Sequence, residues 1–156
     1  MFVGNGFDIH KHSKDKNLTL GGIHIDGYGF EAHSDGDIIL HSLCDALLGS
    51  KAKKDLGYYF PSNENTPIGI SSVDMLQKVL EIIEVDNLTI NNVDVTVISQ
   101  VINVSIISEK ICANLANLLK IDKSAINVKG KSFDHLGFIG DGTASACITL
   151  VSVENA

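Results

Sequence analysis

A chain of 156 residues, 44% hydrophobic and 20% charged, has material for one buried core and is too apolar for a disordered segment. Its formal net charge of −7 includes twelve basic residues, all of them lysine. That balance argues against a nucleic-acid partner and leaves no guanidinium fork for gripping phosphates, so metal ions, lysines or backbone N–H groups must carry such a task.

No apolar run approaches the roughly 18 residues of a membrane span, and Met1–Asn5 carries neither the basic nor the apolar region of a signal peptide. A cytoplasmic bacterial protein is expected, or a plastid stromal one whose transit segment has been removed. Cys44, Cys112 and Cys147 are odd in number and form no Cys-x-x-Cys pair, which reads as buried thiols in a reducing compartment.

In chain order, residues 1–10 read as a strand in which Gly4 and Gly6 mark irregularity or a close backbone approach. Residues 18–25 read as a strand interrupted at Gly21-Gly22. A polar stretch, residues 32–37, leads into a helix over Ile38 to Leu47, with Ser34 or Asp35 as N-cap and Gly49 as terminator. Residues 55–69 hold both prolines and read as a long surface loop.

Val73, Leu76, Leu80 and Ile83 follow helical spacing, and Val93, Val95 and Val97 alternate as a strand. Ile107 through Leu119 predicts another amphipathic helix; residues 126–131 and 144–153 predict closing strands around a Gly140-Asp141-Gly142 turn. Roughly five strands and three helices make one α+β domain, residues 1–156, with a mixed sheet and helices on one face.

The chemistry-bearing residues fall in three clusters. Asp8-x-His10 lies on the first strand, where alternation points both side chains the same way. Carboxylate and imidazole are ordinary zinc ligands, and a catalytic zinc keeps three protein ligands and one open position. His41, inside the helix but off its strictly apolar positions, is the best third ligand. His12 continues the alternation and competes for that role, unless the strand ends first and leaves it solvated.

His33-Ser34-Asp35-Gly36-Asp37 opens the helix, where free N–H groups and the dipole favour an anion. An ordinary N-cap accounts for Ser34 and one aspartate but not for the whole run. Residues 131–138, Lys-Ser-Phe-Asp-His-Leu-Gly-Phe, mix donors with a carboxylate after a strand.

Read in order, Gly6-Phe7-Asp8-Ile9-His10, the run from His33 through Gly49, Asp55-Leu56-Gly57 with Phe60-Pro61, Asn92–Val95, Asn127–Lys129 and Leu136-Gly137-Phe138 resemble one family nearly end to end. That family is the 2-C-methyl-D-erythritol 2,4-cyclodiphosphate synthases of the non-mevalonate isoprenoid pathway. The resemblance implies a homotrimer with active sites at subunit interfaces. It implies zinc on Asp8, His10 and His41, and a second ion, magnesium or manganese, held by Asp134 and bridging the substrate diphosphate. The implied reaction converts 4-diphosphocytidyl-2-C-methyl-D-erythritol 2-phosphate to the cyclic diphosphate and releases CMP.

His33 and Ser132 are implied as the catalytic side chains. Implied substrate contacts at the metal end come from Asp8, Ile9, His10, His33 and Ser34. Others come from Asp55, Leu56, Gly57, Phe60 and Glu64, of which Asp55 and Gly57 meet the ribose. Ser99, Asn103, Val104 and Ser105 belong to the cytosine-binding segment. Lys131, Ser132, Phe133, Asp134 and Phe138 complete the set.

The sequence departs from the family at several of these places. Asn5 stands for a histidine, Ser132 and Lys131 for threonines, and Asp134 for a glutamate. Ser62 and Glu64 sit in a loop that often carries aspartates. The Ser99–Ser105 segment lacks the usual Pro-Lys pair, and Asp141 replaces an arginine near the trimer axis, disfavouring an isoprenoid diphosphate there. The alternative readings are a non-catalytic metal-binding homologue that binds a nucleotide or protein partner, and a related enzyme with another base preference.

Overall fold

The computed structural model describes residues 1–156, apart from the Asp86 side chain. Five strands, β1 (Phe2–Leu20), β2 (Ile23–Phe30), β3 (Leu88–Ile98), β4 (Ile126–Lys131) and β5 (Ala144–Asn155), form one sheet in the order β2-β1-β5-β3-β4. Neighbours are antiparallel except β3 and β4. Five helices accompany them: α1 (Ile38–Ser50), α2 (Leu56–Tyr59), α3 (Ser72–Ile82), α4 (Val104–Leu119) and α5 (Gly137–Gly140). The parallel β3–β4 pair is joined through α4, as a parallel connection requires.

The helices cover one face of the mixed sheet, as expected. Val93, Val95 and Val97 of β3 point to that face and are fully buried. Residues of β1 and β5 on the other face remain open, with Val3 60%, Phe7 54% and Leu150 45% exposed. Helix α1 is buried almost all round because α3 closes its outer side; Leu40, Leu43 and Leu47 are completely covered. Burying each such leucine stabilises the fold by about 1.5–3 kcal/mol.

On β1 the two glycines mark a close approach. A Cβ on Gly4 would sit 1.9 Å from the Ala46 carbonyl oxygen, and one on Gly6 would sit 1.8 Å from that of Ser42. Strand and helix therefore meet backbone to backbone.

Four expectations need correction. The first strand does not end at His10 but runs to Leu20, and it changes partner on the way. Residues as far as Lys11 pair with β5, and from His12 onward with β2. The predicted strand 18–25 is the end of β1, a Gly21-Gly22 turn with φ of +59° and +80°, and the start of β2. The loop 55–69 begins with α2, whose amide at Tyr58 is capped by Asp55. Helix α1 continues past Gly49 to Ser50, and its N-cap is Asp37, not Ser34 or Asp35.

Candidate metal centre

The corner where β1 changes partner carries the first cluster. Asp8 and His10 point from β1 toward α1, and His41, in the first turn of α1, faces them. Asp8 Oδ2 lies 3.0 Å from His10 Nε2 and 3.0 Å from His41 Nδ1, and the two ring nitrogens are 3.3 Å apart. Bonds of 2.0–2.2 Å to a tetrahedral ion place its ligand atoms about 3.3–3.6 Å apart, so small shifts fit these atoms round a metal.

The remaining ring nitrogens are engaged elsewhere. His10 Nδ1–H donates to the Glu31 carbonyl at 3.1 Å. His41 Nε2 lies 3.1 Å from Ser34 Oγ and 3.0 Å from Ser72 Oγ, and Ser72 in turn donates to Asp35. With an ion in the site, these outer bonds would keep the protons on His10 Nδ1 and His41 Nε2 and leave the nitrogens nearest Asp8 free to coordinate, the arrangement that orients a metal-binding histidine.

The electrostatics agree. Burial works to raise the Asp8 carboxyl, but hydrogen bonds and charge from His10 and His41 outweigh it and hold it at about 2. Burial works to lower His10, yet Asp8 and the Glu31 carbonyl raise it above its ordinary value. An ionised carboxylate drawing two imidazoles together is a site with a place for positive charge.

Asp37 accounts for the helix start. It is fully buried; its Oδ1 accepts from Ile39 N, Leu40 N and Gly21 N, and its Oδ2 from Gly22 N at 2.7 Å. Burial pushes the carboxyl up to about 6, against those N–H bonds and with the Asp35 charge adding to the rise. The N–H groups expected to wait for an anion are thus occupied by the chain's own carboxylate.

A cavity of about 230 Å³ opens beside the triad. Of the expected residues, it is lined by Asp8, His10, His33, Ser34, His41, Leu56, Gly57 and Phe60. His33 is held by Nε2 donating to the Thr66 carbonyl at 2.7 Å. The remaining expected residues lie elsewhere. Ile9 points to the open sheet face, Asp55 serves α2, and Glu64 is exposed on the loop.

The second group is carried on the loops after β3 and β4. Ser99 is buried, whereas Asn103 and Ser105 are exposed, and Val104 is buried as α4 begins. Lys131, Ser132, Phe133, Asp134 and Phe138 are all exposed. Asp134 has φ +49°, and Ser132 Oγ donates to its Oδ1 at 3.1 Å. None of these residues lines the cavity beside the triad.

His12 is neither a fourth ligand nor solvated. It is half-buried, stacks on Phe30 at 4.6 Å between ring centroids, and its Nε2 lies 2.8 Å from Ser145 Oγ. Two further residues belong to the site without having been expected. Ser72 steadies His41, a role signalled only by serine preceding an apolar helical run. Asp45 lines the cavity and is raised by burial, against the Leu56 N–H and with the Asp55 and Asp8 charges adding. Its one-turn offset from His41 on α1 was its signal.

Residues 1–154 match the YgbB family. The chain belongs to that family. Among YgbB relatives, the 2-C-methyl-D-erythritol 2,4-cyclodiphosphate synthase of Halothermothrix orenii is 38% identical over 97% of this chain and 93% of its own length. The solved IspF of Plasmodium falciparum, a CDP complex, is 39% identical, with a TM-score of 0.86 over 99% of this chain and 96% of that one. The bifunctional IspDF of Campylobacter jejuni matches with a TM-score of 0.93 at 31% identity; this chain covers 42% of it. The metal corner thus sits on the fold of a family whose members bear the synthase name. No helix among the described residues is long and apolar enough to cross a membrane.

Proposed function

We propose that the protein converts 4-diphosphocytidyl-2-C-methyl-D-erythritol 2-phosphate to 2-C-methyl-D-erythritol 2,4-cyclodiphosphate with release of CMP, as a metal-dependent phosphorus–oxygen lyase. The observation that carries this reading is the Asp8–His10–His41 cluster, three convergent ligand atoms beside a cavity, on a chain 38% identical to a synthase of that name.

Zinc suits the donor set of one carboxylate and two imidazoles. Magnesium suits Asp134, because that ion is commonly held by one or two carboxylates plus the phosphates of its substrate. When bound, the two ions supply Lewis-acid neutralisation of the diphosphate charge.

The rest falls to the chain's own groups. The attacking 2-phosphate is already anionic at neutral pH, so no strong general base is needed. One P–O bond forms to the β-phosphorus and the bond to the CMP oxygen breaks, with catalysis supplied by positioning and charge. His33, oriented by the Thr66 carbonyl, and Ser132 border the transferring phosphorus. Asp55 and Gly57 contact the ribose, and the segment Ser99–Ser105 takes the base.

The two groups of residues open to different places on one chain, which supports a site completed between subunits of a homotrimer. The exposed apolar face of β1 and β5, with Val3, Phe7 and Leu150, is the surface on which copies would meet. The chain is read as one domain, residues 1–156.

The test is direct. Protein with zinc, magnesium and substrate should release stoichiometric CMP and cyclic diphosphate, and His41→Ala should lose bound zinc and about a thousandfold or more of the rate. CMP release no faster than the His41→Ala background overturns the proposal.

A further inference from the structure

Ser99 begins the segment between β3 and α4, and its hydroxyl oxygen is the meeting point of a hydrogen-bonded chain. Ser99 Oγ accepts from the amides of Val101 at 3.2 Å and Ile102 at 3.1 Å, which closes a serine turn at the base of the segment. Ser145 Oγ, on β5, donates to it at 2.7 Å. Behind Ser145 stands His12 on β1, with Nε2 at 2.8 Å. On its other side, His12 Nδ1 lies 3.3 Å from the Tyr28 carbonyl oxygen. Ser145 is fully buried and Ser99 is 6% exposed, so water does not compete for these bonds.

The segment is also held by the Ser99 amide, which donates to the Lys131 carbonyl at 3.0 Å, and by Ile102, which packs against the core. Beneath Val101, Ile102 and Asn103 lies an open cavity of about 700 Å³, with His12 and Tyr28 on its far wall. Asn103 caps α4 without any side-chain hydrogen bond to the helix amides. Among the described residues, the side-chain link to the loop after β4 is Gln100 Oε1 accepting from His135 N at 3.3 Å. No proline stiffens the stretch.

We infer that His12, Ser145 and Ser99 act together as positioning residues for nucleotide binding, fixing the Val101–Ile102 backbone so that the segment meets the base in one conformation. This rests on the reading that Ser99–Ser105 receives the cytosine. A segment already held in its bound geometry does not lose conformational freedom on binding, so the chain raises affinity without touching the ligand. It also joins the loop to the strand that carries Asp8 and His10, because His12 lies one alternation further along β1.

The experiment measures binding of CDP and of inorganic pyrophosphate by titration calorimetry on the zinc-loaded protein, with zinc content as a control. Ser145→Ala, Ser99→Ala and His12→Phe should each weaken CDP about five- to tenfold, the size of one or two net hydrogen bonds. His12→Phe keeps an aromatic ring against Phe30, so its loss reports the nitrogen and not the packing. Pyrophosphate affinity and zinc content should stay as in the parent.

The double variant Ser99→Ala/Ser145→Ala should bind no more weakly than Ser99→Ala alone, because the two act through one chain. Ser99→Thr, which keeps the hydroxyl, should restore CDP binding. Unchanged CDP affinity in Ser145→Ala, or equal weakening of CDP and pyrophosphate, overturns the inference. Should the parent bind CDP no more tightly than pyrophosphate, the assignment of the base to Ser99–Ser105 fails first, and the inference fails with it.

Discussion

The metal corner and the loop after β4 are built on opposite principles. At the corner, Asp8, His10 and His41 are half-buried or buried, and each histidine is held by a second oxygen: the Glu31 carbonyl, Ser34 or Ser72. In the loop, every residue from Lys131 to Phe138 is exposed, and Asp134 and His135 adopt left-handed backbone conformations. One region is finished within a single copy of the chain. The other presents its side chains outward, with few hydrogen bonds of its own beyond Ser132 to Asp134 and the His135 amide to Gln100. Preorganisation is concentrated at the candidate metal group, and openness at the loop after β4.

That contrast is broken most sharply by forcing the copies apart. Phe7→Glu places a charge on the open apolar face, on the side of β1 opposite Asp8. The variant should sediment as a monomer, keep zinc at parent stoichiometry and lose about a thousandfold of turnover, since an oriented site is halved. A monomer with full turnover would show that one copy holds a whole site.

A second comparison sets two aspartates against each other. Asp37→Ala removes the acceptor of four N–H groups, three of them buried, and should cost about 3 kcal/mol in urea unfolding. Asp134→Ala should leave stability within about 0.5 kcal/mol while lowering kcat/KM about a hundredfold. Similar stability losses in both would mean that the loop is as much a part of the scaffold as the helix cap.

The smallest effect concerns pH. His10 is raised above its ordinary value in the metal-free protein, chiefly because Asp8 overcomes the opposing effect of burial. Metal needs the neutral ring, so protons compete with it below that raised pKa. Apparent zinc affinity should fall about tenfold for each unit of acidification through this range and level off above it. Chelator competition across pH measures it, and a flat profile would remove His10 from the ligand set.

Much of this was legible in the sequence, for identifiable reasons. Asp8 and His10 share a strand face, and the helix bearing His41 announces itself through its apolar spacing. The cap was not legible, because Ser34, Asp35 and Asp37 are all good capping residues within four positions and only packing against the Gly21-Gly22 turn selects Asp37. The length of β1 was hidden by the polar run from Lys11 to Asn17, much of it exposed where the hairpin projects. His12 was misjudged for the same reason: its partner Ser145 is 133 residues away.

The direct contact of β1 with α1 has a consequence for how the protein can change. The three candidate ligands ride on these two elements, and the distance of His41 from the Asp8–His10 pair is set by main-chain atoms meeting at Gly4 and Gly6 rather than by side chains wedged between them. The gauge of the metal site is therefore independent of what fills the core. Leucines and valines can drift by a methyl group over generations without retuning the ligand spacing. A single methyl added to either glycine would move Asp8 and His10 together away from His41.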